Sequence, residues 1–263
     1  MYSISPPSRT SQPPSQNEAA QKNVKTSRSE HLNDSIFDGY RQKYSHSCGA
    51  ACLFYIARYF GLQRNPIFAE TLKKFSVLLD AYPYYDSHLT LRFCYEIDVY
   101  RQTGEFKGDT TGMDSDKVSW PHSVIQTAEL LGLETKVYIA PGMWTDMMRQ
   151  DPALKEERQL LTTVARINDS AAPELEQGEF EMKLCIWEDP SRESMFFTSW
   201  NDVSHWIISR PDHSIMEPAV GGCFKNLAEF NSQIKLRLIE TGISIVIKDS
   251  GVNPHLFDFP AGM

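Results

Sequence analysis

No Cys-x-x-Cys pair occurs in this 263-residue chain. The five cysteines present, Cys48, Cys52, Cys94, Cys185 and Cys223, are odd in number and irregular in spacing. A disulfide framework or a zinc ribbon needs denser, more regular pairs, so these read as reduced thiols in a reducing compartment, candidates for a reactive nucleophile. Apolar runs approaching the roughly 20 residues of a membrane helix are missing, which predicts no membrane span. The charged and then apolar opening of a secretory signal peptide is missing too. Positive charge is scarce: 26 Lys and Arg face 34 Asp and Glu, for a formal net charge of -8. No dense basic run lies outside the N-terminal tail, which argues against nucleic acid as a partner.

What the chain has is a core. Hydrophobic residues make up 41%, with 14 Phe, 11 Tyr and 5 Trp, enough to bury a substantial interior. Residues 1–35 are the exception. Ser, Pro, Gln and Asn dominate there, and Ile4, Val24 and Leu32 are nearly the only aliphatics. Such a segment cannot bury enough apolar surface to offset its ordering entropy, so it is expected to be a disordered tail. Ten serines fall in the first fifty residues, and no acid precedes Glu18. This composition resembles the export signal of bacterial type III effectors, notably those of plant-associated bacteria; a plain flexible tail is the alternative.

The remainder, residues 36–263, reads as one domain. CGAACLFYIARYF, residues 48–60, puts Cys52, Leu53, Ile56, Ala57 and Phe60 at helical spacing, with Gly61 as the stop. Further helices are predicted over 66–80, 121–131 and 142–166, and a strand over LETKVYIA, residues 133–140. Residues 89–100 fit helix or strand, and 104–116 a polar loop. Residues 168–179 read as an acidic linker, a candidate mobile loop over a cleft. The last third is a series of short β-rich runs, KLCIW, MFFTSW, HWIISR, SIMEPA and ISIVIK, separated by turn residues. The expected fold class is α+β: a helical half packed on an antiparallel sheet half, with a cleft between them.

The chemistry is expected at the start of the first helix. Cys48 opens it, where the positive end of the helix favours thiolate over thiol. Gly49 and Ala50 leave room for a substrate carbonyl. Gln42, six residues upstream, carries an amide that can donate to an oxyanion beside the Cys48 N–H. On composition alone Cys48 would be a small buried hydrophobe; partners decide otherwise. HWIISR alternates as a strand, so His205, Ile207 and Ser209 share a face. If the hairpin loop is Arg210, Pro211 and Asp212, then His205 lies directly opposite Glu217, whose carboxylate would orient the imidazole. Asp202 and Asp212 are rival orienters, and Asn201 is a further amide partner. Cys52, four residues after Cys48, suits core packing better than a metal pair.

Here a resemblance becomes specific. Gln, five residues, Cys-Gly-small-Ala-Cys-Leu and an aromatic-rich helix ending Tyr-Phe-Gly is similar to the first motif of the C39-like cysteine peptidases. The second motif, a strand His followed by an acid–Pro pair and a Gly, matches His205, Glu217-Pro218 and Gly221. SWPHSVIQTAELLGLETKVYIA is similar to the intervening helix and strand, so the resemblance spans roughly residues 38–248. It implies a papain-like fold, with Gln42 at the oxyanion hole, Cys48 as nucleophile, His205 as base and Glu217 as orienter. The implied substrate is a protein or peptide, a host protein if the tail is an export signal. No cofactor is required. A glutamine deamidase using the same site and an inactive C39-like binding module are the alternatives. The chain departs from the family in carrying Glu rather than Asp before the proline, in its twelve-residue His-to-acid spacing and in Ser47 before the Cys.

Overall fold

The computed structural model describes residues 41–42, 46–60, 99, 119–188 and 204–251. The expected tail, the helix over 66–80, residues 89–98, the loop over 104–116, MFFTSW, Cys94, Asn201 and Asp202 lie outside them.

The first helix, α1 (Cys48–Tyr59), is buried on all sides from Cys48 to Ala57. That fits its sequence, which carries no charged residue before Arg58 and so has no polar face to turn outward. The second, α2 (Pro121–Leu130), starts on a proline that pre-sets the helical φ and stops at Gly132, whose φ of 80° no other residue adopts cheaply. Strand β1 (Leu133–Ile139) follows.

The single helix expected over 142–166 is two helices. They are α3 (Met143–Gln150) and α4 (Pro152–Val164). Asp151 is extended, at φ -114° and ψ 114°, as steric pressure from the following Pro152 requires. Its carboxylate caps α4 by accepting from Ala153 N at 2.9 Å. The apolar periodicity runs through the break and conceals it.

The remaining elements are β2 (Ile167–Asn168), β3 (Phe180–Glu188), β4 (Ser204–Ser209), β5 (Ile215–Glu217), β6 (Gly222–Phe224), α5 (Leu227–Ser232) and β7 (Arg237–Asp249). Seven strands form one sheet in the order β2-β1-β7-β3-β4-β5-β6. The α+β class holds, with one correction. The sheet is mixed rather than wholly antiparallel, because β1 pairs with β2 in parallel. It also takes β1 from the helical part of the chain. Long β7 joins β1 to β3. Between Lys183 and Cys185 the β3–β7 register slips by two residues. Thr241 and Gly242 occupy the slip, and Thr241 Oγ1 donates to the Leu184 carbonyl at 2.7 Å.

The sheet's two faces have different tenants. Met182, Leu184, Ile186, Trp206, Ile208 and Met216 belong to the main core, with Leu53, Ile56 and Ile125 of the helices. Each such side chain contributes roughly 1.5–3 kcal/mol by leaving water. Cys185, Trp187, Ile207 and Ile215 face the other way, into a smaller cluster closed by Phe224, Phe230 and Leu238. Strand β4 therefore sends Trp206 toward the helices and keeps His205 and Ile207 on the opposite face, the alternation expected of HWIISR. No helix among the described residues is long and apolar enough to cross a membrane.

Candidate active site

Helix α1 presents Cys48 at its first turn. Ser47 O accepts from Ala51 N at 2.8 Å, which makes Ser47 the residue before the first helical turn. No acidic residue stands in that turn to neutralise the positive helix end. Cys48 is 1% exposed, and its sulfur accepts the backbone N–H of Trp206 at 3.4 Å. The helix start and strand β4 therefore meet at the thiol.

The β4–β5 hairpin is longer than the three-residue loop expected. Ile208 pairs with Met216 and Ser209 with Ile215, leaving five residues, Arg210 to Ser214, in the connection. Arg210 N donates to Ser214 O at 3.0 Å and His213 N to Arg210 O at 2.8 Å. His213 takes a left-handed φ of 63° to complete the turn. Glu217 thus lies level with Ile207 and not directly opposite His205. The shift is two residues, and because side chains alternate with period two, Glu217 stays on the face of His205. The expected contact survives by a different route. His205 Nε2 and Glu217 Oε1 are hydrogen bonded as a buried ion pair.

Glu217 is fully buried and held from three sides. Besides the imidazole, its Oε1 accepts Ala219 N at 3.0 Å and its Oε2 accepts Val220 N at 2.8 Å. These bonds meet most of the demand a buried carboxylate makes. Gly221, at φ 69°, donates its N–H to Glu217 O at 3.0 Å and closes the loop. The same loop reaches Gln42, whose N–H donates to Pro218 O at 2.7 Å. Gln42 is buried, so the upstream Gln, the strand His and the acid are tied into one structure.

The His205 ring is 1% exposed, with the Trp187 ring at 5.3 Å and Cys185 as its cross-strand neighbour. Its Nδ1 has no hydrogen-bond partner of good geometry among the described residues. The Cys48 sulfur is nevertheless close enough to act on the ring. Burial pulls the imidazole toward neutrality, but Cys48, and after it Glu217, more than reverse this and push its pKa from 6.5 up to about 10.

Other candidates separate cleanly. The Asp212 carboxylate accepts Ser214 N at 3.0 Å and Ser214 Oγ at 2.5 Å, inside the hairpin turn. Those bonds, outweighing its partial burial and helped by Arg210, hold its carboxyl below the usual range. It is a turn residue and does not orient His205. Cys52 is wholly buried and donates its S–H to Trp206 O at 3.6 Å, as core packing predicts. Burial pushes the Cys185 thiol well up, with Glu240 adding to the effect. No cluster of three His, Cys, Asp or Glu able to hold a metal occurs among the described residues. Two residues at the site were given no role by the sequence. Trp206 donates its backbone N–H to the Cys48 sulfur, and Ser119 O accepts the Trp206 indole N–H at 2.8 Å.

A family model described as invasion plasmid antigen J, cysteine protease, matches residues 40–250, a span that includes Gln42, Cys48, His205 and Glu217. The chain belongs to the invasion plasmid antigen J cysteine protease family. It is therefore a cysteine-type peptidase. Among curated proteins, the cysteine protease IpaJ of Shigella flexneri is 23% identical over 234 residues, covering 81% of this chain and 78% of that protein. No solved structure matches.

Proposed function

We propose that this member of the invasion plasmid antigen J family cleaves a peptide bond in a protein substrate with a papain-like, C39-like Cys48–His205–Glu217 triad. The observation that carries the reading is the buried Glu217–His205 ion pair, set beside a cysteine at the start of a helix. With its raised pKa the imidazole is protonated at neutral pH, and an imidazolium next to sulfur favours a resting thiolate–imidazolium pair. The thiolate attacks the scissile carbonyl carbon. The Gln42 amide and the Cys48 backbone N–H receive the oxyanion. His205 then gives its proton to the leaving amine as the carbon–nitrogen bond breaks, leaving a thioester on Cys48. Water, deprotonated by His205, attacks the thioester carbonyl carbon; the carbon–sulfur bond breaks, the acid product leaves, and the thiolate–imidazolium pair is restored. Glu217 keeps the ring oriented and its positive charge stable. The sequence needs no cofactor.

The Ser- and Pro-rich residues 1–35 and the family's description as an invasion plasmid antigen support a second part of the reading: export by a type III system, with a host protein as substrate.

The test is to incubate host-cell lysate with wild-type protein and with Cys48→Ala, then map new protein N-termini by mass spectrometry. New termini made by the wild type alone support the protease. A gain of about one mass unit on glutamine, without a cut, would mean a deamidase. A cellular effect that survives Cys48→Ala would mean a binding module.

A further inference from the structure

We infer that Trp206 is a positioning residue for the nucleophile, its indole anchored to Ser119 so that the 205–206 peptide is held against the Cys48 sulfur. The inference rests on the proposed role of Cys48.

Trp206 meets helix α1 through its backbone in two places. Its N–H donates to Cys48 Sγ at 3.4 Å, and its carbonyl accepts from Cys52 Sγ at 3.6 Å. Cys48 and Cys52 are one helical turn apart on one face, so this single residue lies along that face. An N–H aimed at sulfur favours the charged form over the neutral one. Such a contact is only as exact as the strand that carries it. Here the side chain supplies the anchor. The indole is fully buried and donates Nε1–H to Ser119 O at 2.8 Å, across 87 positions of sequence.

The close fit at Gly49 supports the same account. A Cβ placed on Gly49 would stand 2.7 Å from Ser119 Cβ and 3.0 Å from Trp206 Cδ1. The helix start, the indole and the Ser119 segment therefore close on one another where only a glycine fits. Because side chains alternate, the peptide that presents its N–H to Cys48 also sends His205 to the other face. Shifting the indole would move both the donor to the sulfur and the base. Trp206 need touch no substrate to matter.

The experiment compares wild type, Trp206→Phe and Cys48→Ala in steady-state cleavage, and follows Cys48 alkylation by iodoacetamide against pH, with circular dichroism confirming the fold. Phe keeps a large ring and removes the donor. The expected result is a fall in kcat of about tenfold with KM nearly unchanged, and a Cys48 alkylation midpoint moved up by roughly half to one pH unit. A folded Trp206→Phe with an unmoved midpoint and unchanged kcat overturns the inference. If Trp206→Phe does not fold, Gly49→Ala decides. It should raise the midpoint likewise, and adding Ser119→Gly, which removes the blocking Cβ, should restore it. A folded Gly49→Ala with a wild-type profile overturns the inference. Cleavage that persists in Cys48→Ala would instead refute the role of Cys48, an outcome distinct from either.

Discussion

Glu217 reaches His205 from two residues along the strand register rather than from directly across it. The contact uses the length of a glutamate. Its carboxylate spans from the imidazole back to the N–H groups of Ala219 and Val220. An Asp before the proline would be one carbon shorter. Glu217→Asp is therefore expected to lower kcat by about tenfold, and Glu217→Gln by about a hundredfold, with cleavage kinetics as the measurement. Equal activity of Glu217→Asp and wild type would show that reach is not what selects glutamate here.

The protonation of His205 gives a signed prediction for stability. An imidazole in the unfolded chain titrates near 6.5, whereas here it holds its proton to about 10. A group whose pKa is raised by folding stabilises fully below its unfolded value, and the effect fades as pH rises through the folded one. The stability gap between wild type and His205→Gln, from urea titrations, should be widest near about pH 6 and should have largely closed by about pH 10. A gap that widens with rising pH contradicts this assignment.

Asp212 should matter to the turn and not to the chemistry. Asp212→Ala removes the acceptor of two bonds from Ser214, at a cost of about 1 kcal/mol of stability. Because its pKa is lowered, the contribution is present above the usual carboxylate range and lost as pH falls through the lowered value. Cleavage per folded molecule should match wild type. A loss of kcat in a folded Asp212→Ala would return Asp212 to the triad.

Away from the site, Glu157 of α4 accepts the His122 N–H at 2.7 Å and lies 2.6 Å from His122 Nδ1, at the start of α2. Glu157 is 3% exposed and His122 is half-buried, so Glu157→Ala removes the acceptor of a partly buried donor and should cost about 1 kcal/mol in urea unfolding. Activity of the folded variant should change little. An unchanged midpoint and slope would show that the clamp adds nothing.

The elements that the sequence announces are those with long, regular patterns. Helix α1 and strand β1 follow their periodicity, and helix α2 its Pro121 and Gly132 boundaries as well. The motif residues Gln42, His205, Glu217 and Gly221 come together because one loop, residues 217–221, bonds both to the imidazole and to Gln42, and Cys48 joins them through the Trp206 N–H. The hairpin register was not legible, since it depends on His213 adopting a left-handed φ that its residue type does not announce. Strands β2 and β6, of two and three residues, are too short for alternation to mark. The break at Asp151-Pro152 was written in the sequence but overridden by apolar spacing on both sides. Trp206 could not be singled out, because a tryptophan in a buried strand reads as packing until its N–H groups have partners.

The central claim is that Cys48 is a nucleophile activated by His205. The direct test is the iodoacetamide alkylation rate of every cysteine against pH, by peptide mass spectrometry, in wild type and His205→Ala. Cys48, Cys52, Cys185 and Cys223 are all buried, so shielding alone gives Cys48 no advantage. The account predicts that Cys48 reacts at least about tenfold faster than the other three below pH 7, and loses that lead without His205. A Cys48 that reacts no faster than Cys52, Cys185 and Cys223, or whose rate ignores His205, would contradict it.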